Sequence, residues 1–382
     1  MNKLLCTALL LSVTLSAHAD DPPLSSPSAS LSWQVGVAAS ETSVGQGLPV
    51  LALTEDDWPR YGYNDNRSGK AWRSVRAEVY AIHPDGWQVA AIARADAWVQ
   101  GNADAVAIAA VTASKSDLTE QRVYQAQARA LGFSGQGIKL GIPWLPLLSW
   151  VPTSSWQWQA DVQILQLSRL RQDDASGTVQ YQGGSAYAIN ARAERYNTGI
   201  TGPFLAAPGT AGQGAALSLA VQGLLAPGLH LALRGDDIAS QLRWSDMTGE
   251  VSALNSQVTS RAPDGTLDYA PVIQGQQTRQ LLRTRIGPHW QVQASWTPVQ
   301  AMPAGVTGTL RVDYKAGITQ IWLGAQAPQA PQKLHWALAL EPIKKALGAE
   351  LQWRGLHLAL YTDGKGQSSQ FRRFSIRWSH VL

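Results

Sequence analysis

The chain has 382 residues, of which 15% are charged and 45% hydrophobic, and a formal net charge of +4 at pH 7. So weak a positive balance, with no Lys/Arg run, excludes the electrostatic footprint of a nucleic-acid-binding protein. A single cysteine, Cys6, excludes a disulfide framework and a thiolate metal site.

Met1 to Ala19 reads as a signal peptide: Lys3, an apolar run from Leu4 through Leu15, then Ala17-His18-Ala19 before Asp20. Its apolar core is too short for a retained membrane helix. Residues 20–30 (DDPPLSSPSAS) are Pro/Ser-rich and aperiodic, as a flexible periplasmic tail would be. Residues 31–382 form the folded part, expected as a single domain.

From there the chain alternates. Leu31, Trp33, Val35 and Val37 share one parity, and a long loop holding Asp56, Asp57 and Asn64 follows. Val75, Ala77, Val79 and Ala81 oppose Arg76, Glu78 and Tyr80; Pro84-Asp85-Gly86 turns the chain; Val89, Ala91, Ala93, Ala95 and Ala97 return. Periodicity allows a helical turn in Ser116 to Ala130 and another in Pro342 to Glu350, and the prolines within Ile138 to Val151 argue against a central strand there. Trp156, Trp158, Ala160, Val162 and Ile164 alternate with glutamines and Asp161, and Tyr187, Ile189 and Ala191 alternate with Asn190, Arg192 and Glu194. A strand from Leu217 ends at Ala226-Pro227-Gly228, after which Leu229, Leu231 and Leu233 return. Ile286, Trp290, Val292, Ala294 and Trp296 suggest a hairpin about Gly287-Pro288. Val306 to Tyr314 is the cleanest alternation, and strands follow through Leu323, Leu334 to Leu340, Leu356 to Leu360 and Phe374 to Leu382.

Strands of roughly ten residues, apolar on one face and rich in Arg, Gln and Asp on the other, suit an all-β fold, an antiparallel transmembrane β-barrel of about 12 to 16 strands. The Ala-rich rows fit a lipid-facing surface, which has no close-packed core to satisfy. The turns at Pro84-Asp85-Gly86 and Thr362-Asp363-Gly364 are expected on one rim. Sixteen Trp against four Phe is unusual, and indole favours membrane boundaries. Trp33, Trp72, Trp87, Trp98, Trp156, Trp158, Trp290, Trp296, Trp322, Trp336 and Trp378 fall near strand ends, where an aromatic girdle would lie.

Phe374, Ile376, Trp378 and Leu382 in the closing strand resemble the C-terminal signature of Gram-negative outer-membrane β-barrels, although the chain ends in Leu rather than an aromatic residue. The resemblance is generic and porin-like. It implies an outer-membrane location, contact with outer-membrane lipids and lipopolysaccharide, and recognition by the barrel assembly machinery.

Catalytic chemistry finds no support. There is no G-x-S-x-G elbow, and His83, His230, His289, His335, His357 and His380 are dispersed without an H-x-x-x-H pair, so neither a metal nor a cofactor is expected. The acidic pairs Asp56-Asp57, Asp173-Asp174 and Asp236-Asp237 read as solvated acids beside turns. The sharper pattern is Arg76, Arg94, Arg192, Arg283, Arg285, Arg311 and Arg377, with Glu194 and Asp313, all on the polar parity. In a barrel these would line the lumen and select among solutes. The expected activity is therefore a pore or export channel for a polar solute. Two alternatives fit the same pattern: a non-conducting barrel serving assembly, adhesion or polysaccharide export, and a soluble periplasmic Trp-rich β-sandwich that binds glycans.

Overall fold

The computed structural model describes residues 32–50, 67–147, 155–184, 186–199, 212–261, 267–269, 272–297, 306–327, 334–365 and 369–382. The leader, the tail, Asp56-Asp57 and Asn64 lie outside them. In chain order the elements are β1 (Gln34–Gln46), β2 (Gly69–Ile82), β3 (Gln88–Gly101), α1 (Ala103–Ser114), β4 (Val123–Gly141), β5 (Leu145–Pro146), β6 (Gln157–Gly183), β7 (Ala186–Asn197), β8 (Gly212–Ala226) and β9 (Leu229–Arg261). There follow β10 (Leu267–Tyr269), β11 (Val272–Thr284), β12 (His289–Trp296), β13 (Thr307–Lys315), β14 (Ile318–Gln326), β15 (His335–Glu341), β16 (Ala346–Trp353), β17 (Leu356–Thr362) and β18 (Phe371–Val381).

Every neighbouring pair is antiparallel, and β1 pairs with both β2 and β18, so the sheet closes on itself. Two walls are broken strands. β7 and β8 run collinearly between β6 and β9, while β11 and β12 run collinearly along β9. Counted this way the barrel has 14 strands, an even number that brings Gln34 and Val381 together on one rim. We call this the lower rim.

The alternation decides which face is which. Val79, Ile138, Ile164, Leu338, Leu347 and Leu360 are exposed on the outside, whereas Arg94, Asp96, Asp237 and Asp313 are buried within. A sandwich would bury the apolar faces against each other, so the closed sheet with an apolar exterior replaces the soluble-sandwich alternative.

The wall is uneven. β15 and β17 have 7 residues each, while β6 has 27 and β9 has 33. A tilted membrane strand needs about 9–11 residues, so β4, β6, β7, β9 and β11 continue well above the height of the short side. The helix α1 packs on this extension. Asn102 caps it by accepting from the Ala105 N–H at 2.9 Å, and Lys115 ends it in the left-handed region (φ 52°). The helix thus precedes the segment where periodicity suggested one, because β4 takes up residues 123–141. That strand absorbs Ile138 to Gly141, leaving Pro143 and Pro146 at the lower rim. Pro342 to Lys345 is a turn, not a helix, and leads into β16.

Three further expectations are corrected. Thr362-Asp363-Gly364 follows the end of β17 that pairs with Arg372, on the upper rim, opposite the lower-rim turn Pro84-Asp85-Gly86. Gly287-Pro288 is no hairpin turn but the gap between the collinear β11 and β12. Asp236-Asp237 is not a solvated pair beside a turn: it lies within β9 and is buried.

Glycines do a specific job here. Gly212 faces Trp244, Gly249 faces Tyr196, Gly308 faces Trp296 and Gly348 faces Tyr361 as register partners, and in each pair the aromatic ring lies where a glycine Cβ would be. A ring lying across a facing glycine covers the strand that the missing side chain would leave bare.

Candidate functional site: the lumen network and the break in the wall

The inward parity gathers charge at one height. On β3, Arg94 donates through Nη1 and Nη2 to Asp237 Oδ1 and Oδ2 at 2.7 and 2.5 Å, through Nε to Asp96 Oδ2 at 2.6 Å, and to Gln163 Oε1 at 3.2 Å. A planar guanidinium binding a carboxylate through two parallel bonds is the strongest form of this contact. From there the network crosses the barrel. Arg76 lies 3.7 Å from both Asp236 and Asp237, Arg234 is 3.0 Å from Asp236 and 3.8 Å from Asp161, and Lys315 Nζ is 3.7 Å from Asp96. His289 sits 3.8 Å from Asp236 on one side and 3.8 Å from Asp313 on the other, and Asp313 is met by Arg311 at 3.1 Å and Arg373 at 4.0 Å. β2, β3, β6, β9, β12, β13 and β18 all contribute.

Two apolar clusters lie inside the barrel, one of them extending both above this layer and below it, to Tyr80 and Ala90 on the lower-rim side. One includes Leu131, Phe133, Leu165, Leu242, Trp244 and Met247; the other includes Val44, Trp72, Ile318, Trp322, Tyr361 and Phe371. Ion pairs thus cross the interior in the middle, with apolar packing on both sides of them.

Asp237 reaches the lumen through a distortion of β9. Leu217 pairs with Ala239 but Leu219 pairs with Gly235, so two residues of β8 oppose four of β9, and Asp237 takes a left-handed backbone (φ 58°). Bulges re-aim side chains and bend strands in this way. On the other side of β9 the ladder is also interrupted, between Asp236–His289 and Leu242–Thr284. The stitch across this gap is the Ser240 hydroxyl, which accepts from the Ile286 N–H at 2.9 Å and donates to the Ile286 carbonyl at 3.0 Å. Pro288 has no N–H to offer a ladder, and a Cβ at Gly287 would meet nothing within 4 Å.

A cavity of about 930 Å3 lies at this break. Its lining includes Asp96, Phe133, Asp237 and Lys315, which face the lumen, and also Val162, Leu217, Gln241 and Arg285, which belong to the outer parity. The lining therefore draws on residues of both parities where the sheet is interrupted.

The lumen arginines of the sequence reading separate into three groups. Arg76, Arg94, Arg311 and Arg377, with Asp313, face inward, Arg377 donating to the Tyr80 hydroxyl at 2.9 Å. Arg192 and Glu194 pair with each other at 2.8 Å on exposed β7, on the tall extension. Arg283 and Arg285 stand on the outer face, because Leu282 and Ile286 take the interior side of that segment. Arg234, Lys315 and Arg373 join this network without having been singled out in the sequence, and Asp236, Asp237 and His289 belong to it rather than to a solvated turn or a set of dispersed histidines; the inward parity of β9, β12, β13 and β18 is the signal that points to them.

The tryptophans divide likewise. Trp33, Trp87, Trp296, Trp336 and Trp378 are exposed at the lower rim, joined by Trp353, and Trp156 and Trp158 lie at the same end. Trp290 and its register partner Tyr314 are exposed at the upper end of the short side. Trp72, Trp98 and Trp322 have inward parity, with Trp72 and Trp322 fully packed, so a girdle does not include them.

No family model matches the chain, and no curated protein does. Among solved structures, a double-deletion mutant of the TodX monoaromatic hydrocarbon channel shares 9% identity over 96% of both chains at a TM-score of 0.40. The CymD monoaromatic hydrocarbon channel shares 10% over 92% of this chain and 88% of its own, at 0.23. A Pseudomonas aeruginosa FadL homologue shares 10% over 91% and 87%, at 0.20. At these scores the fold rests on the closure of the sheet itself.

Proposed function

We propose that this protein is an outer-membrane barrel that passes a solute through the cavity at the break in its wall, beside the Arg94–Asp237 pair. The observation that carries this reading is the lining of one cavity by residues of both faces. The exposed apolar exterior and the lower-rim tryptophans support a membrane setting. An axial pore is disfavoured by the ion pairs that cross the lumen, so the route turns sideways. The solute class also shifts. Trp98, Leu131, Phe133 and Ile238 line the cavity with only a few charged groups, which suits a molecule with an apolar body and one polar end better than a fully polar solute.

A second reading is a barrel that conducts nothing and serves as an accessory; the lumen network favours it. Proteoliposomes carrying a Gly287→Cys variant separate the two. Solutes of graded polarity are expected to enter before labelling and to be stopped by a bulky thiol adduct. Entry unchanged by the adduct removes the wall route, and no entry of any solute leaves the accessory reading.

A further inference from the structure

Arg283 and Arg285 are two arginines that the lumen does not use, and they share the outer face of this wall with a third. Arg243 is the direct register partner of Arg283, and its neighbours Leu242 and Trp244 are buried in the interior cluster, so Arg243 points outward as well. All three are exposed. Like charges placed directly opposite one another destabilise a strand pair, and among the described residues no carboxylate pairs with any of the three. The acid next along β9, Asp246, is held by Arg279 at 3.1 Å.

Their height on the barrel is equally informative. Gln136, Gln166, Gln213, Arg243 and Arg283 are successive register partners across β4, β6, β8, β9 and β11, and all are exposed. On β4 and β6 the outer face turns apolar immediately below this polar row, at Ile138 and Ile164, whereas on β9 and at the end of β11 the exposed Gln241 and Arg285 carry it one step lower. On β4 and β6 the row therefore marks the upper edge of the apolar belt, and Arg243 and Arg283 continue it onto β9 and β11, with Arg285 one step lower.

We infer that Arg243, Arg283 and Arg285 bind the phosphates of lipopolysaccharide in the outer leaflet, a site that rests on the outer-membrane reading above. Guanidinium groups bind phosphate oxygens through paired bonds, and cations at a membrane surface attract anionic head groups. A phosphorylated glycolipid supplies both the charge that separates the facing arginines and acyl chains to cover Ile138 and Ile164.

The test measures lipopolysaccharide retained by purified wild-type protein and by the R243Q/R283Q/R285Q variant, with heat-modifiability on gels recorded for both. Each arginine near an anionic surface is worth roughly fivefold in binding, so the triple variant is expected to lose most of its bound lipid while still shifting on heating. Undiminished lipid on a heat-modifiable variant overturns the site. A wild-type protein that is not heat-modifiable instead overturns the membrane reading. Should the variant fail to fold, wild-type protein refolded with intact or dephosphorylated lipid A decides: thermal stabilisation by the intact lipid alone supports the site, and equal stabilisation overturns it. Stabilisation by inorganic phosphate equal to that by lipid A would make this a general anion site and overturn the assignment to lipid.

Discussion

Arg94 and Asp237 stand 143 positions apart and form a doubly bonded ion pair at 2.7 and 2.5 Å inside the barrel, with side-chain exposures of 1% and 0%. The pair joins β3 to the bulge of β9, so it fixes the shape of the wall at the break as well as the charge of the lumen.

Removing one partner leaves the other buried and uncompensated, which costs about 3–5 kcal/mol. Asp237→Asn is therefore expected to lower the denaturant midpoint and to raise ion conductance in planar bilayers, because the bulge loses its anchor to β3. Arg94→Met combined with Asp237→Leu should not recover the stability, because Asp96, which also accepts from Arg94, is then left buried with Lys315 3.7 Å away. A single variant with the stability and the conductance of the wild type would sink the idea that this pair closes the axis.

The glycine-facing aromatics give a packing test. Trp244 lies fully buried against Gly212, its register partner. Gly212→Val would force the indole from its place, and overpacking of this kind costs about 1–3 kcal/mol. Urea unfolding followed by tryptophan emission should show the loss, whereas Gly184→Val, where a Cβ meets nothing within 4 Å but the backbone is left-handed (φ 58°), should leave the Trp244 environment unchanged.

Much of this was readable in the residues, and the exceptions have a common cause. Alternation from Val306 to Tyr314 and from Val75 to Ala81 assigns faces correctly, since each strand is regular and one-sided. Arg283 and Arg285 were misplaced because the alternation inverts at the break: Leu282 and Ile286 face inward, yet Trp290 and Val292, of the same parity, are exposed on the outside. Trp322 lies between Ile321 and Leu323, and Trp98 between Ala97 and Val99, so no polar neighbour reveals which way the ring points. Asp236-Asp237 resembles a turn in composition, and only the pairing of β8 with β9 shows that it is a bulge.

The lipid belt makes its own prediction. Leu338 is 56% exposed on the outer face of β15, and an arginine near the bilayer midplane of a barrel costs about 2–4 kcal/mol, against about 0–1 near the interface. Leu338→Arg should fold into vesicles far less well than Gln166→Arg, whose site lies on the polar row. Equal folding yields, read from the heat-dependent gel shift, would mean that the belt does not meet lipid.

Outside the membrane, the docking of α1 should depend on pH. Asp104 in the first helical turn accepts from Arg122 Nη2 at 2.7 Å and from the Gln125 N–H at 2.7 Å, tying the helix to β4. The hydrogen bond from Arg122 is the main cause that holds the Asp104 carboxyl below its ordinary range. A carboxylate with a lowered pKa in the folded state stabilises above its unfolded value and loses that contribution as pH falls through the folded one. Amide exchange in Ala103–Ser114 is thus expected to be slow at neutral pH and to accelerate once pH drops below the usual aspartate value, before the barrel strands respond. Asp104→Asn should show the fast exchange already at neutral pH, and its rate should no longer change across the acidic window beyond the intrinsic effect of pH on exchange. A wild-type helix whose protection persists at a pH where Asp104 is protonated would show that the apolar contacts of Ile108 and Val111 with Tyr124 and Tyr181 hold it without the carboxylate.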